Sequence, residues 1–288
     1  MHFAVTSVAM NSPKSSVTTV VVLVATLLLL SMLPVCNAAP TAGDRQIPDN
    51  VPIRLATLEW RPYVGSDLPE QGYVAALARA VFAEQGIPLQ IDFHPWERGL
   101  YLARAGEVDG LMPEYFDASR LADFTFSDPF PGGPLVLFKR REDAIAFSVD
   151  PSVDQDAALR SLLDKRFGVV RAYVNTPALD AADYLLKEEF SDDAANLRAL
   201  VRGDIDLAVI DRRVADYLIR NHYPDYAERI EAMTPAIGEL PLYIGFSRKS
   251  RRLDEALTAF NRGLEALRAD GRLEALHRRY VVKPHDAE

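Results

Sequence analysis

Cysteine is almost absent from this chain of 288 residues, because Cys36 is the only one. If a leader is removed after Ala38, the mature chain has no thiol at all. That excludes a disulfide framework, a thiolate metal site and a cysteine nucleophile. The folded part must then be held together by its own hydrophobic core, which a chain of this length can bury.

Sequence signatures of metal, nucleotide and hydrolase sites are also missing. No P-loop or G-x-G-x-x-G loop occurs, and no G-x-S-x-G nucleophile motif. We therefore expect no cofactor. The formal net charge of −9 and the pI of about 5.2 are atypical of a nucleic-acid binder, so we expect no such partner. No metal-ligand spacing joins the five histidines, so no metal site is expected; they are His2, His94, His222, His277 and His285.

The N-terminus has the pattern of a secretory leader. Lys14 lies in an acid-free stretch, an apolar run covers 17–33, and small residues lead to Ala38. We predict a signal peptide over 1–38, cleavage near Ala38 and a periplasmic protein. An uncleaved anchor is the alternative, since this run almost spans a bilayer. A lipid anchor on Cys36 fits less well, because a lipid-attachment site prefers small residues before the cysteine. Residues 39–52 are predicted to be a linker.

The rest of the chain has the composition of a globular protein, with 49% hydrophobic and 25% charged residues. Alternating apolar residues predict a strand over 53–58, and a helical stripe follows from Gly72 to Gly86. A second strand is expected over 89–93. Strand and helix continue to alternate, and the pattern restarts near Phe167, which predicts two α/β units with mainly parallel sheets. In the second unit, 178–190 is predicted to be a helix.

One segment of each unit resembles the other. Gly106-Glu-Val-Asp109 and Gly203-Asp-Ile-Asp206 each enter a predicted strand, and an acid follows five residues after the Asp that ends each segment. These acids are Glu114 and Asp211. Ligands of open parallel sheets bind beyond the carboxyl ends of the strands. We therefore expect Glu114 and Asp211 to face each other across a cleft.

Six motifs in order resemble the periplasmic solute-binding proteins of polar amino-acid transporters, family 3. The similarity runs from Ile53 to Tyr280, and Trp96-Glu-Arg98 resembles a divergent branch with a W-x-R pattern. The motifs are Trp60-Arg-Pro-Tyr63, Gly72-Tyr-Val, Leu102 to Asp109, Arg120 to Phe130, Gly203 to Asp211, and Phe260 to Tyr280.

This resemblance implies the two-lobed type II periplasmic-binding-protein fold, in the α/β class. Each lobe has a central, mostly parallel sheet flanked by helices, and two strands form a hinge between the lobes. Lobe 1 is expected to comprise 50–139 plus 238–283, and lobe 2 to comprise 140–237. Two such lobes close around a ligand.

The same resemblance implies roles for four residues. Arg120 stands where the family binds a ligand's α-carboxylate, which suits the two parallel donors of a guanidinium. Asp211 stands where an acid accepts from the ligand's ammonium, and Trp60 where an aromatic wall lies. Tyr63 is an additional candidate. From the residues alone, Arg120 fits an ordinary surface arginine, Asp211 a helix N-cap, and the two aromatics packing positions.

Several positions depart from the family's pattern and leave the ligand open. Glu114 and Tyr115 follow Pro113 where the family has small hydroxyl residues, and Pro113 has no N–H to donate. Tyr173 lies where the second lobe usually has small residues. Trp96 and Arg98 are further binding candidates, although Trp96 also fits packing at a helix N-terminus.

The prediction is thus a monomeric binding protein rather than an enzyme, taking a small polar solute to an inner-membrane permease or a sensor. An amino-acid-like or carboxylate solute would meet Arg120 and Asp211. Two alternatives remain. Some relatives dehydrate prephenate-like acids, which would need a general acid such as Glu114 or Glu59. The other alternative is a ligand-sensing adaptor without transport.

Overall fold

A computed structural model describes residues 51–282, so the predicted signal peptide and most of the predicted linker lie outside the described residues. The strands within this range are β1 (Ile53–Thr57), β2 (Leu89–Phe93), β3 (Gly110–Glu114), β4 (Phe124–Phe126), β5 (Phe130–Arg140), β6 (Arg166–Val170), β7 (Leu186–Phe190), β8 (Leu207–Asp211), β9 (Ile230–Ala232) and β10 (Gly238–Ser247).

Helices cover the faces and ends of these strands. They are α1 (Tyr73–Ala83), α2 (Trp96–Ala105), α3 (Gln155–Arg160), α4 (Pro177–Ala181), α5 (Asp193–Arg202), α6 (Arg212–Asn221), α7 (Leu253–Ala269) and α8 (Arg272–His277), with short 3-10 turns at Pro69–Gln71, Ala118–Ala122 and Pro224–Tyr226 and a π-helical turn at Arg278–Val282. No helix among residues 51–282 combines the length and the apolar character needed to cross a membrane.

The strands form two halves that are linked through a central antiparallel pair. In the first half, β1 pairs in parallel with β2 and β3, and β10 runs antiparallel beside β3 and β4. In the second half, β6 pairs in parallel with β7 and β8, and β5 runs antiparallel beside β8 and β9. β5 and β10 also pair with each other, so both strands pass from one half to the other.

This architecture confirms the predicted α/β class and the two-lobed arrangement. Most predicted elements lie within a few residues of those observed, including the helix after Gly72 and the strand over 89–93. The predicted bounds of the lobes, at 139/140 and 237/238, stay a prediction. Along β5, residues 130–135 pair with β10 and 135–138 pair with β8, so the change of partner occurs at Leu135.

The predicted helix over 178–190 is wrong. Only Pro177–Ala181 is helical, and Leu186–Phe190 is the edge strand β7, in parallel register with β6. The segment Leu-Lys-Glu-Glu-Phe contains good helix formers, so its local propensity misleads. Pairing with the buried strand β6 overrides that preference, and the charged side chains suit an edge that must not pair further.

Helix α7 packs on α1 at a point where only glycine fits. A Cβ on Gly263 would lie 2.5 Å from the carbonyl oxygen of Val81. Gly263 itself is buried, whereas Glu265 on the same helix is exposed. The absence of a side chain at Gly263 therefore sets the distance between the two helices.

We expect Gly263→Ala to destabilise the fold by about 1–3 kcal/mol, because the added methyl group forces α7 away from α1. Chemical denaturation followed by circular dichroism measures the loss. Glu265→Ala is the matched control and should change stability by about 0.5 kcal/mol at most. Equal stability of Gly263→Ala and wild type would contradict this account of the helix contact.

Candidate functional site

The carboxyl ends of the parallel strands from both halves meet at one place. β1 leads to Trp60, and β3 ends at Glu114. From the second half, β6 leads to the loop with Ala172 and Tyr173, and β8 ends at Asp211. Strand ends are where open α/β sheets bind ligands. Glu114 and Asp211 are predicted to face each other across a cleft. In the structure, Glu114 accepts from Arg120, and Asp211 accepts from Tyr63 and Tyr115.

Asp211 joins the two halves through both carboxylate oxygens. Oδ1 accepts from the backbone N–H groups of Arg213 (2.8 Å) and Val214 (3.2 Å), as the N-cap of α6. Oδ2 accepts from the hydroxyls of Tyr63 (3.0 Å) and Tyr115 (3.2 Å) in the first half. The side chain is therefore a helix cap and an inter-half contact at once. Asp211 is only 2% exposed, and burial raises its pKa to about 6.

Arg120 pairs inside the protein with Glu114. One guanidinium nitrogen donates to Glu114 Oε2, and the other donates to the carbonyl oxygen of Ala172 at 2.7 Å. Both side chains are buried, so each charge is stabilised by the other because water cannot reach and solvate them. The guanidinium also lies 5.6 Å from the ring of Trp96. The carboxylate that pairs with Arg120 in this arrangement thus belongs to the protein itself.

The carbonyl group of Ala172 accepts from two first-half donors. Besides Arg120, Trp96 donates its indole N–H to this oxygen at 2.9 Å. Ala172 has a φ of 62°, a left-handed conformation that is uncommon for a residue with a Cβ. Trp96 also meets the ring of Tyr173 edge-on at 6.0 Å. The loop after β6 is thus held against the first half by hydrogen bonds and aromatic contacts.

Trp60 is the centre of an aromatic group. Its ring stacks on Tyr63 at 4.6 Å and meets Tyr115 edge-on at 5.9 Å. Trp60 is 7% exposed, and among the described residues its Nε1 has no hydrogen-bond partner. An indole N–H usually finds an acceptor when it is buried. The donor lies near the Asp193 carboxylate, whose pKa it lowers, without reaching hydrogen-bond geometry.

A small cavity lies among these groups. Its water-accessible volume is about 30 Å³, enough for about two water molecules and far less than an amino acid requires. A larger solute can enter only when the halves move apart. The cavity is lined by Leu58, Trp60, Trp96, Pro113, Glu114, Tyr115, Arg120, Tyr173, Val174 and Leu242.

Glu114 is the most strongly buried charged group of this cavity. Burial raises its pKa to about 7, even though the Arg120 guanidinium acts in the opposite direction. Its second oxygen, Oε1, has no partner among the described residues. A Cβ on Gly245 would collide with this oxygen, so glycine at 245 makes room for the carboxylate.

Asp193 is a site residue that the sequence did not reveal. It lies in the first turn of α5, is 6% exposed, and faces the Tyr173 hydroxyl at 3.4 Å. Burial, reinforced by the nearby negative charges of Asp211 and Asp192, raises its pKa to about 7. An acid in a first helical turn ordinarily interacts with the helix dipole, so its sequence context points only to that role.

Asp193 lines a second, larger cavity between the halves. Its volume is about 390 Å³, and Trp60 and Tyr173 form the wall that it shares with the small cavity. It is lined by Glu59, Trp60, Arg61, Tyr173, Asp192, Asp193, Ala194, Arg198, Val214, Leu218 and His222. Among residues 51–282, no group of His, Cys, Asp or Glu side chains is arranged to hold a metal ion.

Helix α5 is fixed in place by a buried amide. The Asn196 side chain donates to the carbonyl oxygens of Gly168 in β6 (3.2 Å) and Val209 in β8 (3.1 Å). Asp192 caps the helix by accepting from the Ala195 N–H at 2.7 Å. These contacts hold the first turn of α5, and with it Asp193, at the edge of the cleft.

The structure gathers most of the predicted site residues but not all of them. Arg98 is exposed, lies 5.3 Å from the ring centre of Tyr101, and does not line either cavity. The gathered residues are Trp60, Tyr63, Trp96, Glu114, Tyr115, Arg120, Tyr173 and Asp211. Their roles towards a ligand stay predictions.

We expect Tyr115→Phe to destabilise the protein by about 1–3 kcal/mol, since the buried Asp211 carboxylate loses a donor. Tyr63→Phe should act in the same direction, and denaturant titration measures both. Tyr101→Phe is the control, because that ring is 58% exposed, and it should leave stability unchanged. Wild-type stability of both tyrosine variants would contradict the cross-half role of Asp211.

The raised pKa of Asp193 makes its contribution to stability depend on pH. In the unfolded chain the carboxyl ionises near 3.8, and in the folded protein near 7. The folded state therefore binds the extra proton between these values, and rising pH destabilises it. We expect the melting temperature of Asp193→Asn, relative to wild type, to increase from pH 5 to pH 8.

Calorimetric melts at several pH values measure this difference. Glu188→Gln, an exposed acid of β7, is the control and should follow wild type throughout. A difference between Asp193→Asn and wild type that shrinks as pH rises would show that the folded protein favours the ionised carboxylate.

Comparison with solved structures finds the same fold in proteins of several activities. A histidine kinase sensor domain similar to periplasmic binding proteins has a TM-score of 0.69 and 21% identity, covering 81% of this chain and 97% of its own. An arginine 3rd transport system periplasmic binding protein from Legionella pneumophila has a TM-score of 0.63 and 15% identity, covering 80% and 100%.

A third similar structure is the ancestral amino acid-binding protein AncCDT-1, a precursor of cyclohexadienyl dehydratase. It has a TM-score of 0.59 and 20% identity, covering 80% of this chain and 95% of its own. A comparison with curated proteins finds no significant match. The model of one protein family matches residues 54–283, almost the whole of the part that the structure describes. The chain belongs to the bacterial extracellular solute-binding proteins, family 3.

Proposed function

We propose that the chain is an extracytoplasmic binding protein that closes around a small polar solute and delivers it to an ABC-type permease. The observation on which this rests is the placement of Arg120 and Asp211, which are 5% and 2% exposed, where the strand ends of the two halves meet. Separation of the halves would take the Tyr63 and Tyr115 donors from Asp211 and the Ala172 acceptor from Arg120, so both groups would then offer polar contacts to a solute.

Opening and closing would exchange one set of contacts for another. Separating the halves breaks the bonds from Tyr63 and Tyr115 to Asp211 and the bond from Arg120 to Ala172. A solute in the open cleft can replace these contacts with its own. The strands β5 and β10 would serve as the hinge, since they pair with each other and extend into both halves.

The site of action that we propose is the periplasm, with residues 1–38 as a cleaved signal peptide. This proposal is supported by family membership and by the leader-like pattern of the sequence. Fractionation of the native cells, followed by N-terminal sequencing, should find a soluble chain that begins near Ala39. A membrane-bound chain that keeps its N-terminus would favour the anchor instead.

A sensor is the second candidate partner, because the fold is shared with a histidine kinase sensor domain. Deleting the gene in the native cells distinguishes the two. Loss of uptake of the solute identifies a permease partner. Normal uptake together with a lost transcriptional response to the solute identifies a sensor.

A dehydratase is the enzymatic alternative, because AncCDT-1, which has the same fold, is a precursor of cyclohexadienyl dehydratase. Glu114 has the raised pKa that a general acid requires, whereas Glu59 is exposed and pairs with Arg61. Incubation with prephenate decides this alternative. Product formation that disappears in Glu114→Gln would establish it, and an unchanged substrate would leave binding as the function.

We expect one class in a panel of amino acids, keto acids, dicarboxylates and amines to raise the melting temperature of residues 39–288. A solute at 100 times its dissociation constant stabilises the native state by about 2.7 kcal/mol. For a chain of this size that is a shift of roughly 5–10 °C. Differential scanning fluorimetry measures it.

Val174→Trp is the control, because a bulky ring in the small cavity blocks closure on a solute. The shift should vanish in this variant. A shift that persists there would show that binding does not need the small cavity, and a panel without any shift would contradict solute binding.

A further inference from the structure

Both terminal nitrogens of the Arg120 guanidinium donate to groups of the protein. Glu114 Oε2 accepts from one nitrogen and the Ala172 carbonyl from the other. Glu114 and Arg120 are both in the first half, so their pairing does not depend on closure of the cleft. A solute carboxylate that approaches Arg120 therefore meets a carboxylate already bound there.

Displacing Glu114 would leave a buried anion without a counter-charge. The space around it is fitted to the present position, because Gly245 provides the room that the carboxylate occupies. Glu114 Oε1 already lacks a donor, so the group has no second partner to move to. Removing one member of a buried pair is strongly unfavourable, and this penalty falls on every solute that brings its own carboxylate.

The remaining buried charges of the inter-half region are negative. Asp193 and Asp211 are both nine-tenths buried or more, and within residues 51–282 neither has a salt bridge to a cation. Asp211 accepts from four hydrogen-bond donors, whereas Asp193 accepts only from the Tyr173 hydroxyl at 3.4 Å and lies near the Trp60 indole N–H. Asp193 is thus the acid in this region that is least supplied with donors.

The cations that line the larger cavity do not compensate Asp193. Arg61 pairs with Glu59 and Asp67, and Arg198 donates to the Tyr223 hydroxyl. Within residues 51–282 Asp193 thus lines a cavity of about 390 Å³ without a salt bridge to any side chain of that cavity.

Two aromatic rings complete the surroundings of Asp193. Trp60 and Tyr173 line the same cavity, and the faces of such rings attract cations. The Trp60 Nε1 donor has no partner at hydrogen-bond geometry and lies near the Asp193 carboxylate, so ring and acid belong to the same part of the cavity. An acid between aromatic rings suits an ammonium or guanidinium group, because the aromatic walls limit its contact with water.

We propose that the solute is an organic amine without a carboxylate, whose cationic group pairs with Asp193 between Trp60 and Tyr173. Glu114 is then a specificity-determining residue that withholds Arg120 from carboxylates. This inference rests on the proposed function, because it assumes that a solute binds between the halves, and it names the solute's chemical class.

Isothermal titration calorimetry tests the proposal with pairs of compounds that differ only in the presence of a carboxylate. The pairs are agmatine against arginine and cadaverine against lysine, titrated into residues 39–288. We expect each amine to bind at least 10-fold more tightly than its amino acid, since only the amino acid must displace Glu114. Asp193→Asn should weaken amine binding at least 10-fold, whereas Glu188→Gln should leave it unchanged.

Glu114→Gln tests the specificity role separately. A neutral amide no longer holds Arg120 against an incoming carboxylate, so the preference for the amine should narrow or reverse. Glu107→Gln, an exposed acid of the same half, should keep the wild-type preference. A wild-type preference in Glu114→Gln would overturn the role of Glu114.

A second pair of variants keeps the test valid if Asp193→Asn fails to fold. Tyr173→Phe keeps the ring and should retain amine affinity, while Tyr173→Leu removes the ring face and should weaken it several-fold. Equal affinities of these two variants would overturn the aromatic contribution.

The same titrations distinguish a wrong amine assignment from the absence of solute binding. Amino acids that bind as tightly as their amines would overturn the inference and still support a solute-binding cleft. No heat from any of the four compounds would overturn the amine assignment. In that case, a melting shift with another class of the panel would retain solute binding.

Discussion

The Asp211 carboxylate is the contact on which the relation between the two halves depends. It caps α6 in its own half through two backbone N–H groups, and it accepts from Tyr63 and Tyr115 of the other half. Because the group is buried, each lost donor leaves charge that water cannot solvate. The same carboxylate thus links the fold of the second half to closure of the cleft. If the halves separate, Asp211 loses the two tyrosine hydroxyls and needs replacement donors.

The Glu114–Arg120 pair imposes a second constraint, on what can bind. The sequence predicts that Arg120 binds a solute carboxylate, and in the structure Arg120 pairs with the carboxylate of Glu114. The burial that makes the pair costly to break also makes it selective, because an anionic solute competes with an internal anion. Asp193 lines the same cavity as Trp60 and Tyr173, and the proposed solute would bring the opposite charge to it. Selectivity by charge would arise because burial makes the contacts between these charged groups costly to break.

Much of the fold follows from local patterns in the sequence. Alternating apolar residues located β1 and β2, a helical stripe located α1, and the repeated Gly-x-(Val/Ile)-Asp turns located the strands that end at Glu114 and Asp211. The edge strand β7 was not found, because its Leu-Lys-Glu-Glu-Phe sequence favours a helix in isolation. Its strand conformation comes from hydrogen bonds to β6, which no local pattern records.

The sequence by itself determined the α/β class, the family and the identity of most groups at the strand ends, because periodicity and motif order are properties of neighbouring residues. Tertiary structure alone decided which groups pair: Arg120 with Glu114, Asp211 with two tyrosines, and Asp193 with the edge of a cavity. Tyr63 and Asp211 are 148 residues apart along the chain, and their contact depends on how two sheets are joined. The charge balance of a buried site is a sum over such distant contacts, and therefore cannot be read from any one segment.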